Sequence, residues 1–351
     1  MSILFNPIKL GALSLKNRVI MAPLTRCRAE QNRIPGDLMV EYYRQRASAG
    51  MILTEATSIS PMGVGYPNTP GIWSEEQIAG WKKVTDAVHQ EGGIIVLQLW
   101  HVGRISDPSY LDGELPVAPS AIAAKGHVSL IRPEKPFVTP RALDTSEIPH
   151  IIIEYRQAAI NAKEAGLDGV EIHAANGYLL EQFLLDGTNK RDDQYGGSIE
   201  NRARLLLEVT DAVIDVWGAD RVGVHFSPRA NAHDMSDSNL KEVFSYSAKE
   251  LGKRNIAFLC TREAEGEDSI GQILKENFGG ALIANEGMNK DSAEKLINSG
   301  CADAVAFGVL FIANPDLPAS FEQDATLNTP DPSTFYSSGA EGYTSYPRMN
   351  Q

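Results

Sequence analysis

A single parallel (β/α)8 TIM barrel is the fold this sequence predicts, on three observations: short apolar runs, amphipathic helical stretches between them, and no repeat or linker dividing the chain. The runs are Val19 to Ala22, Met51 to Leu53, Ile94 to Leu99, Gly169 to Ile172, Val222 to Phe226, Ile256 to Leu259, Ala281 to Ala284 and Ala304 to Phe307, eight in all. Each is too apolar on both faces for a sheet open to water, as expected of parallel strands covered by helices. The 351 residues suit one barrel domain spanning 1–351 and carrying insertions. Two intervening helices have clear ends. Ser146 is a candidate N-cap for a helix burying Ile148, Ile152, Tyr155, Ala159 and Ala162, closed by Gly166. Ser198 opens another with Leu206, Val209, Val213 and Trp217 inward, stopped by Gly218.

One interval breaks this rhythm. Residues 105–145, after the third strand, carry Pro108, Pro116, Pro119, Pro133, Pro136 and Pro140, which forbid a regular helix over most of the span. Long loops in compact domains serve as lids or binding walls, so this one reads as a capping excursion over the catalytic rim.

Composition narrows the function. A net charge of −13 argues against a surface that neutralises nucleic-acid phosphates or anionic lipid. Cys27, Cys260 and Cys301 form no C-x-x-C pair, which speaks against zinc, an iron–sulfur cluster or a disulfide framework; no metal is expected. No apolar run approaches the ~20 residues of a membrane span, and the N-terminus does not read as a signal peptide. A soluble cytoplasmic protein, monomer or homodimer, acting on small molecules is the expectation.

Chemistry on a barrel collects where strands run out into loops. The fourth run, Gly169-Val170-Glu171-Ile172, leads into His173, Asn176 and Tyr178. A His and an Asn can hydrogen-bond one carbonyl oxygen, and a nearby phenol can deliver a proton to carbon. The other exits are Pro23-Leu24-Thr25-Arg26, Thr54-Glu55-Ala56-Thr57 and Gln98-Leu99-Trp100-His101.

Together the strings N-R-V-I-M-A-P-L-T-R, T-E-A-T, L-Q-L-W-H-V-G-R, E-I-H-A-A-N-G-Y-L-L-E-Q-F-L, Y-G-G-S-I-E-N-R, A-N-P-D-L and G-Y-T-S-Y-P, spread from Asn6 to Pro347, resemble the Old Yellow Enzyme family of flavin-dependent ene-reductases. The resemblance implies FMN as cofactor and NADPH or NADH as transient hydride donor. It implies substrates with activated C=C bonds, α,β-unsaturated carbonyl and nitro compounds, together with nitrate esters or nitroaromatics. Thr25 would then face the flavin C4 carbonyl and Gln98 the polar ring edge, with Pro23, Leu24 and Ala56 flush against the ring. His173 and Asn176 would hold the substrate oxygen, and Tyr178 would protonate the α-carbon. Trp100, Tyr66 and Tyr343 would wall the pocket. Gly287 and Gly308, after the seventh and eighth strands, would offer backbone amides to the phosphate. No G-x-G-x-x-G follows the first strand, so the nicotinamide coenzyme would share the substrate pocket.

Two positions depart from that family. Many members carry Arg where this chain has His225, at the flavin's N1 and C2-carbonyl edge, and Arg where it has Val309, near the phosphate. Arg262, at the sixth strand's exit, is the candidate replacement charge. The alternative to an ene-reductase is a flavin-binding sensor or regulatory protein with little turnover.

Overall fold

The computed structural model describes residues 2–230 and 232–349. Eight parallel strands close on themselves: β1 (Val19–Met21), β2 (Ile52–Leu53), β3 (Ile95–Trp100), β4 (Gly169–His173), β5 (Val222–Phe226), β6 (Phe258–Arg262), β7 (Leu282–Asn285) and β8 (Ala304–Phe307). Closure is made by β8 against β1, with Val305 beside Val19. All five residues of β4 and of β5 are buried, because the barrel interior takes one face and the helical ring the other.

The sixth strand is displaced from its expected position. Ile256 is apolar but lies below the ladder, which opens with the Ala257 amide on Val222 O at 2.8 Å, whereas Thr261 and Arg262 extend it to the mouth. Apolar content marks where a chain is buried, not where pairing starts. That shift carries Arg262 onto the rim, paired in register with Asn285 of β7.

An N-terminal hairpin, Ile8–Leu10 against Leu13–Leu15, seals the end of the barrel opposite the site. Its Leu10, Leu13 and Leu15 cluster with Ile20, Leu53, Val96 and Phe258. The turn requires Gly11: φ is +56°, and a Cβ there would stand 2.3 Å from the Asp220 carbonyl oxygen. With one end sealed by leucines, polar chemistry is confined to the other.

Of the expected helix ends, Ser198 accepts from the Asn201 amide at 3.3 Å and opens Ile199–Trp217. Ser146 does not cap. The helix Ile148–Glu164 starts later with Glu147 before it, whose carboxylate instead accepts from the Asp144 amide at 2.7 Å. Residues 105–145 form an ordered cap, with Val117–Ala118 pairing Arg141–Ala142. Its Ile105, Ala124, Val128 and Phe137 pack on Tyr66, Trp100 and Tyr178, over the barrel mouth. Among the described residues no helix is long and apolar enough to cross a membrane.

Candidate active site

The strand exits enclose a cavity of about 570 Å³. Pro23 and Leu24 reach it from β1, Ala56 from β2, Gln98 and Trp100 from β3, and His173, Asn176 and Tyr178 from β4. Thr25, His225, Arg262, Gly287 and Gly308 complete the set expected on this wall. Tyr66 lines a second cavity of about 400 Å³, which shares Thr25, Asn176, Tyr178 and Arg262 with the first.

Tyr343 is the exception among the expected residues. It lines neither cavity; its ring stacks on Tyr42 at 4.0 Å, with the Arg28 guanidinium 4.6 Å from its centroid. The nearby aromatic that does reach both cavities is Tyr336. Arg26 and Arg28 tie this segment down through carbonyls: Arg26 Nε donates to Phe335 O at 3.0 Å, and Arg28 Nη2 to Thr334 O at 2.8 Å. Asn285, Glu286, Met288 and Phe335 also line the main cavity and have no sequence signal beyond adjacency to a strand end or the C-terminal motif.

The three groups at the end of β4 and just beyond it have defined proton inventories. His173 Nδ1 accepts from the Ala175 amide at 3.3 Å, and burial holds this ring well below its usual pKa, aided by His225 and Arg262. A neutral ring with Nδ1 accepting carries its proton on Nε2, which is therefore a donor. Asn176 is fixed by a different partner. Arg262 Nη1 lies 2.8 Å from its Oδ1; because a guanidinium only donates, the amide oxygen must face it, and the NH2 is left to donate elsewhere. Tyr178 is kept protonated, since burial pushes its phenol well above the ordinary value.

The loop bearing Asn176 is held from below. Asn176 has φ +57° and Gly177 +78°; a Cβ on Gly177 would meet the His233 side chain at 2.8 Å. The Asn176 amide donates to Ser227 Oγ at 2.6 Å, whose hydroxyl in turn donates to Glu181 at 3.0 Å. The other Glu181 oxygen accepts from the Gly177 amide, and burial raises this carboxyl to about 7. Sequence reading misses Glu181, Ser227 and His233, because each has a partner remote in the chain: Ser227 joins Glu181 to Asn176, and His233 meets the Asn176 carbonyl.

On the cavity floor Gln98 Nε2 donates to Glu171 at 2.6 Å, and Glu171 lies 3.3 Å from His225 Nδ1. Cys260 Sγ is 3.9 Å from His225 Nε2. The fold thus gathers Glu171, His225 and Cys260, with one ligand-type atom of each within 4.8 Å of the others, although the cysteine spacing shows nothing of the kind. The nearest approaches of carboxylate and thiol are to opposite ring nitrogens. Arg262, expected as a replacement charge for the phosphate, is engaged by Asn176 and by the Glu286 carboxylate. Val309 is 46 % exposed and brings no charge.

Residues 3–328 match the NADH:flavin oxidoreductase / NADH oxidase family. A probable flavin mononucleotide-dependent alkene reductase of Leishmania infantum is 44 % identical over 359 residues, 99 % of this chain and 98 % of that protein. Among solved structures, the old yellow enzyme homologue from Zymomonas mobilis superposes with a TM-score of 0.96 at 45 % identity, covering 98 % of this chain and 99 % of that one. Morphinone reductase in complex with tetrahydroNAD gives 0.95 at 52 % identity, covering 99 % and 98 %. With the barrel, the cavity at its mouth and these matches along nearly its whole length, the chain belongs to the Old Yellow Enzyme family of FMN-dependent, NAD(P)H-using oxidoreductases.

Proposed function

We propose that this oxidoreductase reduces the activated C=C bonds of α,β-unsaturated carbonyl and nitro compounds, with Tyr178 as the proton donor. The observation that carries the reading is the pairing of two donors beside a protonated phenol. His173 Nε2 and the Asn176 NH2 each have their other polar atom already engaged, and the Tyr178 ring stands edge-on to His173 at 5.0 Å.

The residues present fit the cofactor. Thr25 and Gln98 supply polar groups for a ring's edge, and Pro23, Leu24 and Ala56 offer a flat apolar surface. At Gly308 a Cβ would press on Leu24 at 3.3 Å, and Gly287 has φ +67° with open space around it, so both leave backbone amides for the phosphate. His225 stands at the floor, held by Glu171. Bound FMN, once reduced by NADPH or NADH, supplies the hydride. His173 and Asn176 hold the substrate oxygen and stabilise the negative charge that develops there, with the Arg262 charge behind Asn176 adding to the field. At Tyr178 the O–H bond breaks as a C–H bond forms at the α-carbon. Trp100, Tyr66 and the capping excursion exclude water from that step.

Anaerobic reduction of the holoenzyme by each coenzyme, followed by mixing with cyclohexenone, tests the reading. Rapid reoxidation with one equivalent of saturated ketone is expected. A reduced protein that ignores enones and nitroalkenes would instead be the sensor or regulatory type.

A further inference from the structure

A chain of hydrogen bonds runs from the Asn176 backbone to the proposed proton donor. His233 Nδ1 lies 2.6 Å from Asn176 O, His233 Nε2 3.3 Å from Tyr66 Oη, and Tyr66 Oη 2.8 Å from Tyr178 Oη. Its direction follows from what each atom can do. A carbonyl oxygen only accepts, so Nδ1 carries a proton. With one proton on the ring, Nε2 is bare, and the Tyr66 hydroxyl must donate to it. The Tyr66 oxygen then receives the Tyr178 proton. In this state the Tyr178 proton points at Tyr66, which lines the outer cavity and not the main one.

A second proton on His233 leaves the bond to Asn176 O as it was and reverses the other two links. Nε2–H donates to Tyr66, Tyr66 donates to Tyr178, and the Tyr178 proton is released toward a substrate in the main cavity. We propose that His233 is a positioning residue whose protonation turns the Tyr66–Tyr178 hydrogen bond around, aiming the Tyr178 proton at the substrate and replacing it once spent. As the α-carbon takes the Tyr178 proton, the Tyr66 proton moves to Tyr178 and the Nε2 proton to Tyr66. The enolate and imidazolium charges disappear together, and neutral His233 takes its next proton from water at the outer cavity, where it is half-buried.

The surroundings set the working range. His127, Arg132, Arg262, Tyr178 and Tyr336 line that cavity with Tyr66 and His233, and among the described residues no carboxylate lines it. Arg104 Nη2 donates to the His233 carbonyl at 2.9 Å, and the adjacent Asp234 is spent on Lys125 at 2.8 Å. Burial, and then the Arg104 and Arg262 charges, hold His233 below 6.5 against the opposing bond to Asn176. The aimed state is therefore fully populated only in acid and is lost as pH rises through that lowered value.

This inference rests on Tyr178 being the proton donor, and the test separates the two. Reduced holoenzyme is mixed with cyclohexenone, or with a nitroalkene whose product anion needs no enzymatic proton, across pH 5 to 8. Wild-type reoxidation by the enone should fall by up to about tenfold per pH unit above the His233 transition. The nitroalkene reaction should stay flat. His233→Gln and Tyr66→Phe should each flatten the enone profile at a rate at least about tenfold below the acid limit of wild type. Nitrogen NMR of histidine-labelled holoenzyme at pH 8 should show His233 protonated on Nδ1. An enone profile that keeps its slope in His233→Gln, or an Nε2–H tautomer, overturns the inference. Unchanged enone turnover in Tyr178→Phe would remove the proposed donor itself, and this inference with it.

Discussion

The two sides of the barrel mouth are built on different principles. On the β4–β6 side nearly every polar group has a named partner: Asn176 is held by Arg262 and Ser227, Ser227 by Glu181, and Tyr178 by Tyr66. On the β7–β8 side Gly287 has open space, Val309 carries no charge, and the adjoining Glu286 is turned to Arg262. One side fixes side chains to place single protons; the other offers backbone. Arg262 stands behind Asn176, in the proposed oxygen-binding pair, while Val309 brings no charge to the other side, so oxygen binding should be sensitive to mutation and cofactor retention comparatively weak.

The largest effect should come from Tyr178→Phe. Reduction by NAD(P)H should be nearly unchanged, while the enone half-reaction slows by a factor of ~10² to 10⁴, as for a lost general acid. Stopped-flow measurement of the two half-reactions checks this, and equal slowing of both would mean that the substitution had damaged the whole pocket.

Next is Glu181, whose carboxyl burial has raised to about 7. A folded-state value above the unfolded one gives stability that is whole below about 4.5 and lost as pH rises through about 7. Urea midpoints should fall between pH 5 and 8 for wild type, by the equivalent of roughly 2–3 kcal/mol relative to Glu181→Gln. Parallel curves for the two proteins would show that this carboxyl does not titrate there.

Arg262→Met attacks the fixed side from behind. Para-substituted phenols mimic an enolate, and their charge-transfer band with the oxidised holoenzyme reports oxygen binding directly. Affinity should drop about ten- to a hundredfold, the scale of a hydrogen bond to a charged group. Combined with Asn176→Ala the losses should not add, because Arg262 works through the amide it orients. Additive losses would return Arg262 to an independent site.

Val309→Arg should have the smallest effect. An exposed ion pair is worth ~0.2–1 kcal/mol, so FMN should be retained more tightly on dialysis by at most about fivefold, with phenol binding untouched. A gain of several orders would show that the open side lacks more than one surface charge.

Barrel architecture and the fixed side were legible because parallel strands announce themselves as doubly apolar runs, and the first loop residues after them face the mouth. Pairing was less legible. Ile256 satisfies an apolar criterion while lying below the ladder, and Thr261 reads as loop while pairing with Ala284. Ser146 has the right chemistry for a cap, yet Glu147 engages the Asp144 amide. Tyr343 and Tyr336 are seven residues apart in one segment, and only packing around the Arg26 and Arg28 guanidiniums decides which faces the cavity. Glu181 gains meaning through the Ser227 hydroxyl and His233 through the Asn176 carbonyl, both supplied by other loops.

The clamp on the segment after the last helix bears on the order of synthesis. All eight strands precede Phe335 and Tyr336 in the chain, so this stretch is the last part of the cavity wall to be synthesised. Until then Arg26 and Arg28 lack the carbonyl oxygens of Thr334, Phe335 and Gly342. The cavity wall is thus finished by the last-made stretch of chain, tied to two arginines made among the first, so the two ends of the sequence meet at the mouth.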